Sequence, residues 1–300
     1  MSKNPVEVSV VIPVYNEEGS LQELIERLCK ALQEIHFEII IVNDGSMDNT
    51  QVILQEISAK NPKVHYLFSA QNMGQSQALY YGFQCTQGKY VVMMDGDLQN
   101  PPEDISALLS KAVEGYDLVS GERNKRKDSF ILRKLPSMFA NWLISRMMGC
   151  KFKDMGGINC LNGTIARRLF LKQGHHRLIP AIVHCLGGRT TEIPVSHAPR
   201  TTGVSKYGFW ARSQEVILDI IMLWLTYKVK PLYFFGKVSL MFLVGSIILF
   251  LGKWLFGWHE VFAMLTAVAA ILFILSGIIC EFICNRKPHY IHYHSSKKLD

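Results

Sequence analysis

Two aspartates separated by one glycine, Asp95-Gly96-Asp97, follow the apolar run Tyr90 to Met94 and precede Pro101-Pro102 and two further acids. The run is rich in β-forming residues, and prolines followed by Glu103 and Asp104 have the composition of a first helical turn. Carboxylates this close repel each other, so the arrangement is stable when a cation sits between them or when one is protonated. On this stretch alone, an Asp-rich turn is the alternative. A calcium loop of the EF-hand type is excluded, because its glycine position is Asn100 and its twelfth position is Ser106. Tyr15-Asn16-Glu17 and Asn43-Asp44-Gly45 are acidic clusters that likewise end apolar runs.

The elements that must position these clusters can be read in order. Glu7 to Val14 is a continuous β-rich run without clean alternation, the pattern of a strand covered on both faces. Leu21, Leu24, Ile25, Leu28 and Leu32 then recur at helical spacing. Phe37 to Val42 reads as a second strand, and Asp48 should cap a helix carrying Val52, Ile53 and Ile57. Val64 to Phe68 and Tyr90 to Met94 are further strands, with helices expected over Gly74 to Cys85 and Pro102 to Val113, and Asp117 to Ser120 is a short strand. This alternation predicts an α/β domain built on a mostly parallel, Rossmann-like sheet with helices on both faces. Ligands bind such sheets beyond the carboxyl ends of the strands, so the three acidic strand ends should converge on one crevice. No G-x-G-x-x-G follows the first strand and no G-x-x-x-x-G-K-[ST] occurs, which argues against a dinucleotide redox site and a P-loop. A cradle of carboxylates that binds phosphates needs a bridging divalent metal.

After Gly121 the alternation stops. Ser129 to Met148 predicts an amphipathic interfacial helix broken near Pro136, and Lys153 to Gly157 is a turn whose isolated acid has no role that spacing alone can assign. Thr190 to Val195 reads as a last strand, and Phe209 to Tyr227 as an apolar helix with Arg212, Glu215 and Asp219 on one side. The chain of 300 residues is 49% hydrophobic, and the excess lies near the C-terminus. Leu232 to Leu251 carries only Lys237, and Val261 to Ile279 carries no charge, each close to the roughly 20 residues that span a bilayer core. Lys228, Lys230, Arg286, Lys287, Lys297 and Lys298 flank this hairpin, so both its ends should be cytoplasmic. MSKNPVEV lacks a charged leader followed by an apolar segment, which predicts that the first two hundred residues stay in the cytoplasm.

Seven cysteines without a C-x-x-C read as free, structural thiols. His175, His176 and His184 lack the H-E-x-x-H spacing of a zinc site. The net charge of +7 is concentrated in Gly121 to Lys153, where basic residues interleave with Phe130, Ile131, Leu132, Phe139, Trp142 and Leu143. That mixture suits a bilayer bearing anionic head groups rather than nucleic acid.

Together these residues resemble the family 2 glycosyltransferases of GT-A fold, and within them the polyprenyl-phosphate sugar transferases of the aminoarabinose-transfer and dolichyl-phosphate-mannose-synthase type. The resemblance rests on VSVVIPVYNEEGSL at 8–21, VNDGSMDNT at 42–50, NMGQSQAL at 72–79, MDGDLQNPPE at 94–103, GERN at 121–124, KDMGG at 153–157 and RTTGVSKY at 200–207, followed by paired spans. It implies a cytoplasmic GT-A domain over 1–206 with an interfacial helix at 129–148, an amphipathic juxtamembrane helix at 207–230, two transmembrane helices within 231–283 and a basic cytoplasmic tail at 284–300. A multi-pass protein of the inner membrane follows from that layout.

The resemblance also implies roles. Pro13, Tyr15, Glu17 and Asp44 would hold the nucleoside. Asp95 and Asp97 would hold the donor diphosphate through Mg²⁺ or Mn²⁺, with Gln99 as a further metal ligand. Arg123 and Arg133 fall where the family engages the lipid phosphate; Arg200, Ser205 and Lys206 match a loop that closes on the donor and acceptor phosphates; Asp154 matches the acidic position near the sugar, although KDMGGINCL departs from the usual pattern after it. The implied activity is metal-dependent, inverting transfer of one sugar from a nucleotide sugar, with UDP favoured, to undecaprenyl phosphate, serving lipopolysaccharide or polysaccharide modification. The spans could also pack as a homo-oligomer. A processive polysaccharide synthase would carry a Q-x-x-R-W signature, which is absent. A non-catalytic nucleotide-sugar-binding scaffold would bind donor without turnover.

Overall fold

The computed structural model describes residues 5–123, 142–150, 152–155, 157–198, 209–229, 231–256, 260–285 and 294–295. The chain folds as two compact units, Met1–Asp219 with His289–Asp300, and Ile220–Pro288.

The first unit is built on one sheet. Its strands are β1 (Val8–Val14), β2 (Phe37–Asn43), β3 (Val64–Phe68), β4 (Tyr90–Met93), β5 (Leu118–Arg123), β6 (Asn159–Asn162), β7 (Thr190–Val195) and β8 (His294–Ser295), in the order β7-β5-β6-β4-β1-β2-β3-β8. β1 pairs in parallel with β2 and β4, β2 with β3, and β5 with β7. β6 runs antiparallel between β4 and β5, and β8 antiparallel on the β3 edge. β6 was not foreseen: four residues, Asn-Cys-Leu-Asn, are too short and too polar at their ends to show a period. β5 runs on through Arg123, which places that residue on a strand end rather than in a loop.

The apolar runs of β1 and β2 have no exposed residue because helices cover both faces. Val8, Val10, Ile12 and Val14 pack with Leu21, Leu24 and Leu28 of α1 (Leu21–Ala31), Leu54 of α2 (Thr50–Lys60) and Ile105 and Leu108 of α4 (Ile105–Val113). On the other face α3 (Gln75–Gln84) comes so near that a Cβ on Gly82 would stand 3.0 Å from Val42 Cγ2 and closer still to Val11. The helix after β2 begins at Thr50, whose N–H donates to Asp48 Oδ1 at 3.0 Å, so the expected cap residue serves from one position before the N-cap Asn49. Of the expected interfacial helix, residues 142–148 form a helix, α5, and 124–141 lie outside the described residues. Short helices α6 (Gly163–Arg168) and α7 (Ile179–Cys185) follow β6, and α8 (Phe209–Trp224) follows β7.

A buried carboxylate ties the amino ends of the central strands. Glu38 is 3% exposed, and its Oε1 accepts Ser9 Oγ–H and Gln87 N–H, each at 2.7 Å. Ser9 Oγ in turn accepts Gly88 N–H at 2.8 Å, so β1, β2 and the approach to β4 share one network. The register aligns Val14 with Asn43 and Val11 with Met93, so that Asp95 continues β4 to the level of Pro13.

The second unit is a helical hairpin. One π-helical turn, Leu225–Val229, precedes α9 (Pro231–Phe256), and α10 (Glu260–Asn285) returns beside it. Ser239 Oγ donates to Ala270 O and Ser246 Oγ to Ala263 O, both at 2.7 Å, which fixes the helices as antiparallel. Phe242 and Phe273 stack with centroids 5.1 Å apart. Pro231–Gly252 and Val261–Phe282 are each long and apolar enough to cross a membrane, with mean hydropathies of 2.2 and 2.6. Within α10, Glu281 accepts Leu232 N–H at 3.3 Å, at the start of α9 where free helix donors favour an anion.

Removing the Glu38 carboxylate strands two donors at once, Ser9 Oγ–H and Gln87 N–H. Glu38→Ala is expected to lower unfolding stability by about 2 kcal/mol or more, read from thermal denaturation of the detergent-solubilised full chain; an unchanged midpoint would show that the network does not hold the strand entries.

Candidate active site

The loops at the carboxyl ends of β1, β2 and β4 are fastened to one another before any ligand is considered. Asn16 adopts φ +56°, a left-handed conformation that asparagine tolerates, with its N–H donating to Ser46 Oγ at 2.9 Å and its Oδ1 accepting Met47 N–H at 2.8 Å. Glu17 N–H donates to Thr50 Oγ1 at 3.0 Å, and Ser20 Oγ–H donates to Gly96 O at 2.8 Å. Asp44 is 3% exposed, and its two oxygens accept Met73 N–H at 2.8 Å and Gly74 N–H at 2.7 Å. That carboxylate therefore organises the approach to α3, and Gly45 beside it, at φ +74°, leaves no room for a Cβ against the Gln71 backbone. Pro13, Tyr15 and Glu17 are half-buried along this same edge.

The β4 loop carries the acidic pair. Asp95 Oδ1 accepts Gln75 Nε2–H at 2.7 Å, and Asp97 Oδ1 accepts Gln99 N–H at 3.2 Å in a tight turn. Leu98 between them is buried at φ +60°, a conformation that costs a branched residue about 1 to 2 kcal/mol. Strain of this kind persists where the surroundings over-determine the backbone, as they do at functional loops. Gln99 O accepts Ala198 N–H at 2.9 Å, and Asp104 Oδ2 accepts Ser196 N–H at 2.7 Å, so the segment after β7 closes over the loop. Opposite, a Cβ on Gly157 would lie 2.6 Å from Asp95 Oδ2 and 2.7 Å from Asn100 Nδ2. The missing side chain leaves space above the carboxylate.

Arg123 and Asp154 complete the cluster. Arg123 Nε donates to Asp154 Oδ2 at 2.6 Å and Nη2 to Oδ1 at 2.8 Å, a bidentate pair with both side chains about one-fifth exposed. The hydrogen bond to Asp154 holds the guanidinium above its usual pKa against the cost of burial, and the charges of Asp95 and Asp97 add to it. Those four side chains therefore share one electrostatic neighbourhood. Glu192, which the sequence did not single out, accepts Lys153 N–H at 2.9 Å and Asp154 N–H at 3.0 Å, and so sets the turn that presents Asp154. Burial pushes the Glu192 carboxyl above its usual range, with Glu122 and Asp154 contributing. Gln75 and Asn100 carry no signal of their own in the sequence, although they lie in NMGQSQAL and MDGDLQNPPE. Arg133, Arg200, Ser205 and Lys206 lie outside the described residues.

The donor set fits a hard divalent cation. Asp95 and Asp97 supply oxygens, and Asn100 is buried with Oδ1 lacking a hydrogen-bond partner among the described residues. Among the described residues no group of three His, Cys, Asp or Glu side chains is placed to hold a metal ion by itself. A cation held here would draw its remaining ligands from amide oxygens such as Gln99, from water and from a phosphate, as Mg²⁺ ordinarily does. The histidines behave differently: burial pushes His175 down to about 4 and His176 to about 3, so both are neutral at pH 7.

Comparison with known proteins gives a consistent pattern. Residues 9–175 match the family model described as Glycosyl transferase family 2. The chain is 34% identical to the dodecaprenyl-phosphate galacturonate synthase of Rhizobium johnstonii over a 312-residue alignment, which covers 95% of this chain and 92% of the relative. Glucosyl-3-phosphoglycerate synthase from Mycobacterium tuberculosis, solved with Mn²⁺, UDP and phosphoglyceric acid, superposes with a TM-score of 0.57 at 18% identity, over 74% of this chain and 78% of that one. Mannosyl-3-phosphoglycerate synthase from Rubrobacter xylanophilus gives 0.59 at 14% identity, over 73% and 74%.

Two outcomes are expected from this geometry. Gly157→Val should crowd the Asp95 carboxylate and weaken Mn²⁺ binding about tenfold, or about 1.4 kcal/mol, as followed by the electron paramagnetic resonance of free Mn²⁺; undiminished affinity would mean that Asp95 Oδ2 does not face the cation. Folding stability should fall as pH drops from 6.5 towards about 4, because unfolded imidazoles take up protons that buried His175 and His176 refuse. Denaturant unfolding across that window should show a shallower decline for His175→Phe, and parallel curves would contradict the assignment.

Proposed function

Since the chain belongs to the family 2 glycosyltransferases, we propose that it transfers a single sugar from a UDP-sugar to a polyprenyl phosphate such as undecaprenyl phosphate, with Mg²⁺ or Mn²⁺, at the cytoplasmic face of the membrane. The mostly parallel sheet with acidic strand ends is a GT-A-type fold, and the chain is a glycosyltransferase. The observation that carries the finer reading is the meeting of Asp95, Asp97 and the Arg123–Asp154 pair at the carboxyl edge of that sheet.

Asp95 and Asp97 would hold the cation, with Gln99 or Asn100 adding an amide oxygen. When bound, the cation neutralises charge that develops on the departing nucleoside diphosphate. Pro13, Tyr15 and Glu17 line the edge where the nucleoside would lie, on the platform that Asp44 fixes. Arg123 presents a planar guanidinium suited to two oxygens of an acceptor phosphate. A phosphate monoester is already anionic at pH 7, so its oxygen can attack the anomeric carbon with inversion and without a strong base. Asp154, engaged on both oxygens by Arg123, then serves to orient that guanidinium beside the sugar.

The acceptor class is supported by the 34% identical relative, named for a dodecaprenyl phosphate and a galacturonate, and by the two apolar helices. A lipid acceptor is delivered from the bilayer, so an anchor in the same chain makes chemical sense. The pairing of β8 with β3 supports two crossings, because a tail that joins the sheet must end on the same side of the bilayer as the sheet. The basic flanks of the hairpin favour the cytoplasmic side. The domain limits given above, with the catalytic domain at 1–206 and spans within 231–283, and a role in envelope or polysaccharide modification belong to this proposal.

The test is transfer itself. Full-length protein in detergent, given radiolabelled UDP-galacturonate or UDP-glucose, polyprenyl phosphate and Mn²⁺, should produce label extractable into organic solvent with at least one donor. Asp97→Asn should lose about 100-fold or more of that activity while remaining folded. Turnover that persists in Asp97→Asn with excess EDTA would refute the metal-dependent reading.

A further inference from the structure

Asp95 is held from below by a helix that the reaction does not otherwise use. Gln75, whose Nε2 donates to Asp95 Oδ1 at 2.7 Å, is the first residue of α3. The N-cap of α3 is Gly74, which has no side chain to cap the helix, so the first turn depends on its neighbours. One of these is explicit. Ser76 is 2% exposed, and its Oγ lies 2.9 Å from His176 Nδ1 and 3.1 Å from the His176 main-chain N. A main-chain N–H can only donate, so the serine oxygen accepts it, and the same hydroxyl bonds to Nδ1. A hydroxyl oxygen holds one proton and two lone pairs, so it pairs with Nδ1 of either neutral tautomer. Burial keeps the imidazole neutral.

His176 belongs to a single 3₁₀ turn, His175–Leu178, that is closed on its other side as well. Gly174 precedes it at φ +82°, and a Cβ there would overlap the carboxylate of Asp219 in α8. The turn is wedged between Asp219 and Ser76. Gln75 is a neutral donor, so it fixes one carboxylate oxygen of Asp95 without cancelling the charge, and the other, Oδ2, is left in the space beside Gly157.

We infer that His176 is a positioning residue for the donor site: through Ser76 it sets the first turn of α3 and so the place from which Gln75 aligns Asp95. This rests on the reading that Asp95 binds a cation and a nucleoside diphosphate. A role limited to stability would be satisfied by any well-packed side chain, whereas the positioning role requires a hydrogen-bonding group where Nδ1 now stands. Asparagine places its amide, which can donate or accept, near Nδ1; glutamine places its amide near Nε2.

The experiment titrates UDP into the full-length protein by calorimetry, with Mn²⁺ and with EDTA, for wild type, His176→Ala, His176→Asn, His176→Gln and Gln75→Leu. Expected is an affinity loss of about tenfold in Mn²⁺ for the Ala, Gln and Gln75→Leu variants, the size associated with a lost hydrogen bond to a charged group. His176→Asn should recover to within about threefold, with the residual affinity in EDTA the same in every variant. The inference is overturned if His176→Ala keeps wild-type affinity in Mn²⁺, if Asn fails to rescue, or if the loss is equal in EDTA. Should His176→Ala not fold, Ser76→Ala and Gln75→Leu carry the same comparison. Wild-type UDP binding that ignores Mn²⁺ would instead overturn the reading of the site, and this inference with it.

Discussion

Negative charge gathered at the edge of an apolar sheet has to be balanced, and the first unit is arranged around that requirement. Asp95 and Asp97 follow the fully buried β4, and Asp154 lies in the segment before β6, with Glu122 and Glu192 close by. Mutual repulsion in such a setting favours either protonation or a bound cation. Arg123 supplies part of the balance from inside the fold, and its bidentate grip on Asp154 fixes where that positive charge sits. The oxygen-rich remainder is what suits a divalent cation and a diphosphate.

Rigidity around the cluster comes from hydrogen bonds to the main chain rather than from further ion pairs. Asp44 holds Met73 and Gly74, Glu192 holds Lys153 and Asp154, Ser20 holds Gly96, and Gln99 receives Ala198. Each bond joins loops that belong to different strands, so the catalytic edge is assembled by contacts 30 or more residues apart in most cases. A site of this design can be pre-organised before a ligand arrives, with the strained Leu98 as its visible cost.

The parallel core was legible in the sequence because β1 and β2 are buried on both faces and therefore read as unbroken apolar runs. The acidic strand ends followed from the same logic, and the structure brings Asp95, Asp97, Arg123 and Asp154 together. β6 was invisible because four residues carry no period, and its antiparallel pairing depends on β4 and β5 being there first. Asp44 shows another kind of limit. Beside the nucleoside role that the resemblance implies, its two oxygens accept amides that only the folded chain brings near, a structural task that spacing could not reveal. Glu192 and Gln75 escaped notice for the complementary reason, since a lone polar residue on a strand or a first helical turn is ordinary until its partner is known.

The second unit gives the chemistry a place. Two helices of membrane-spanning length bond to each other through Ser239 and Ser246, small polar residues that let apolar helices pack closely. An acceptor with a long isoprenoid chain and an anionic head would be presented at the boundary such helices occupy. The central claim nevertheless lives at the end of β4. It is tested most directly by anomalous diffraction from crystals of the full chain grown with Mn²⁺ and UDP. The account predicts one manganese peak touching the carboxylates of Asp95 and Asp97 and the UDP diphosphate; UDP bound with manganese elsewhere, or with no manganese at all, would contradict it.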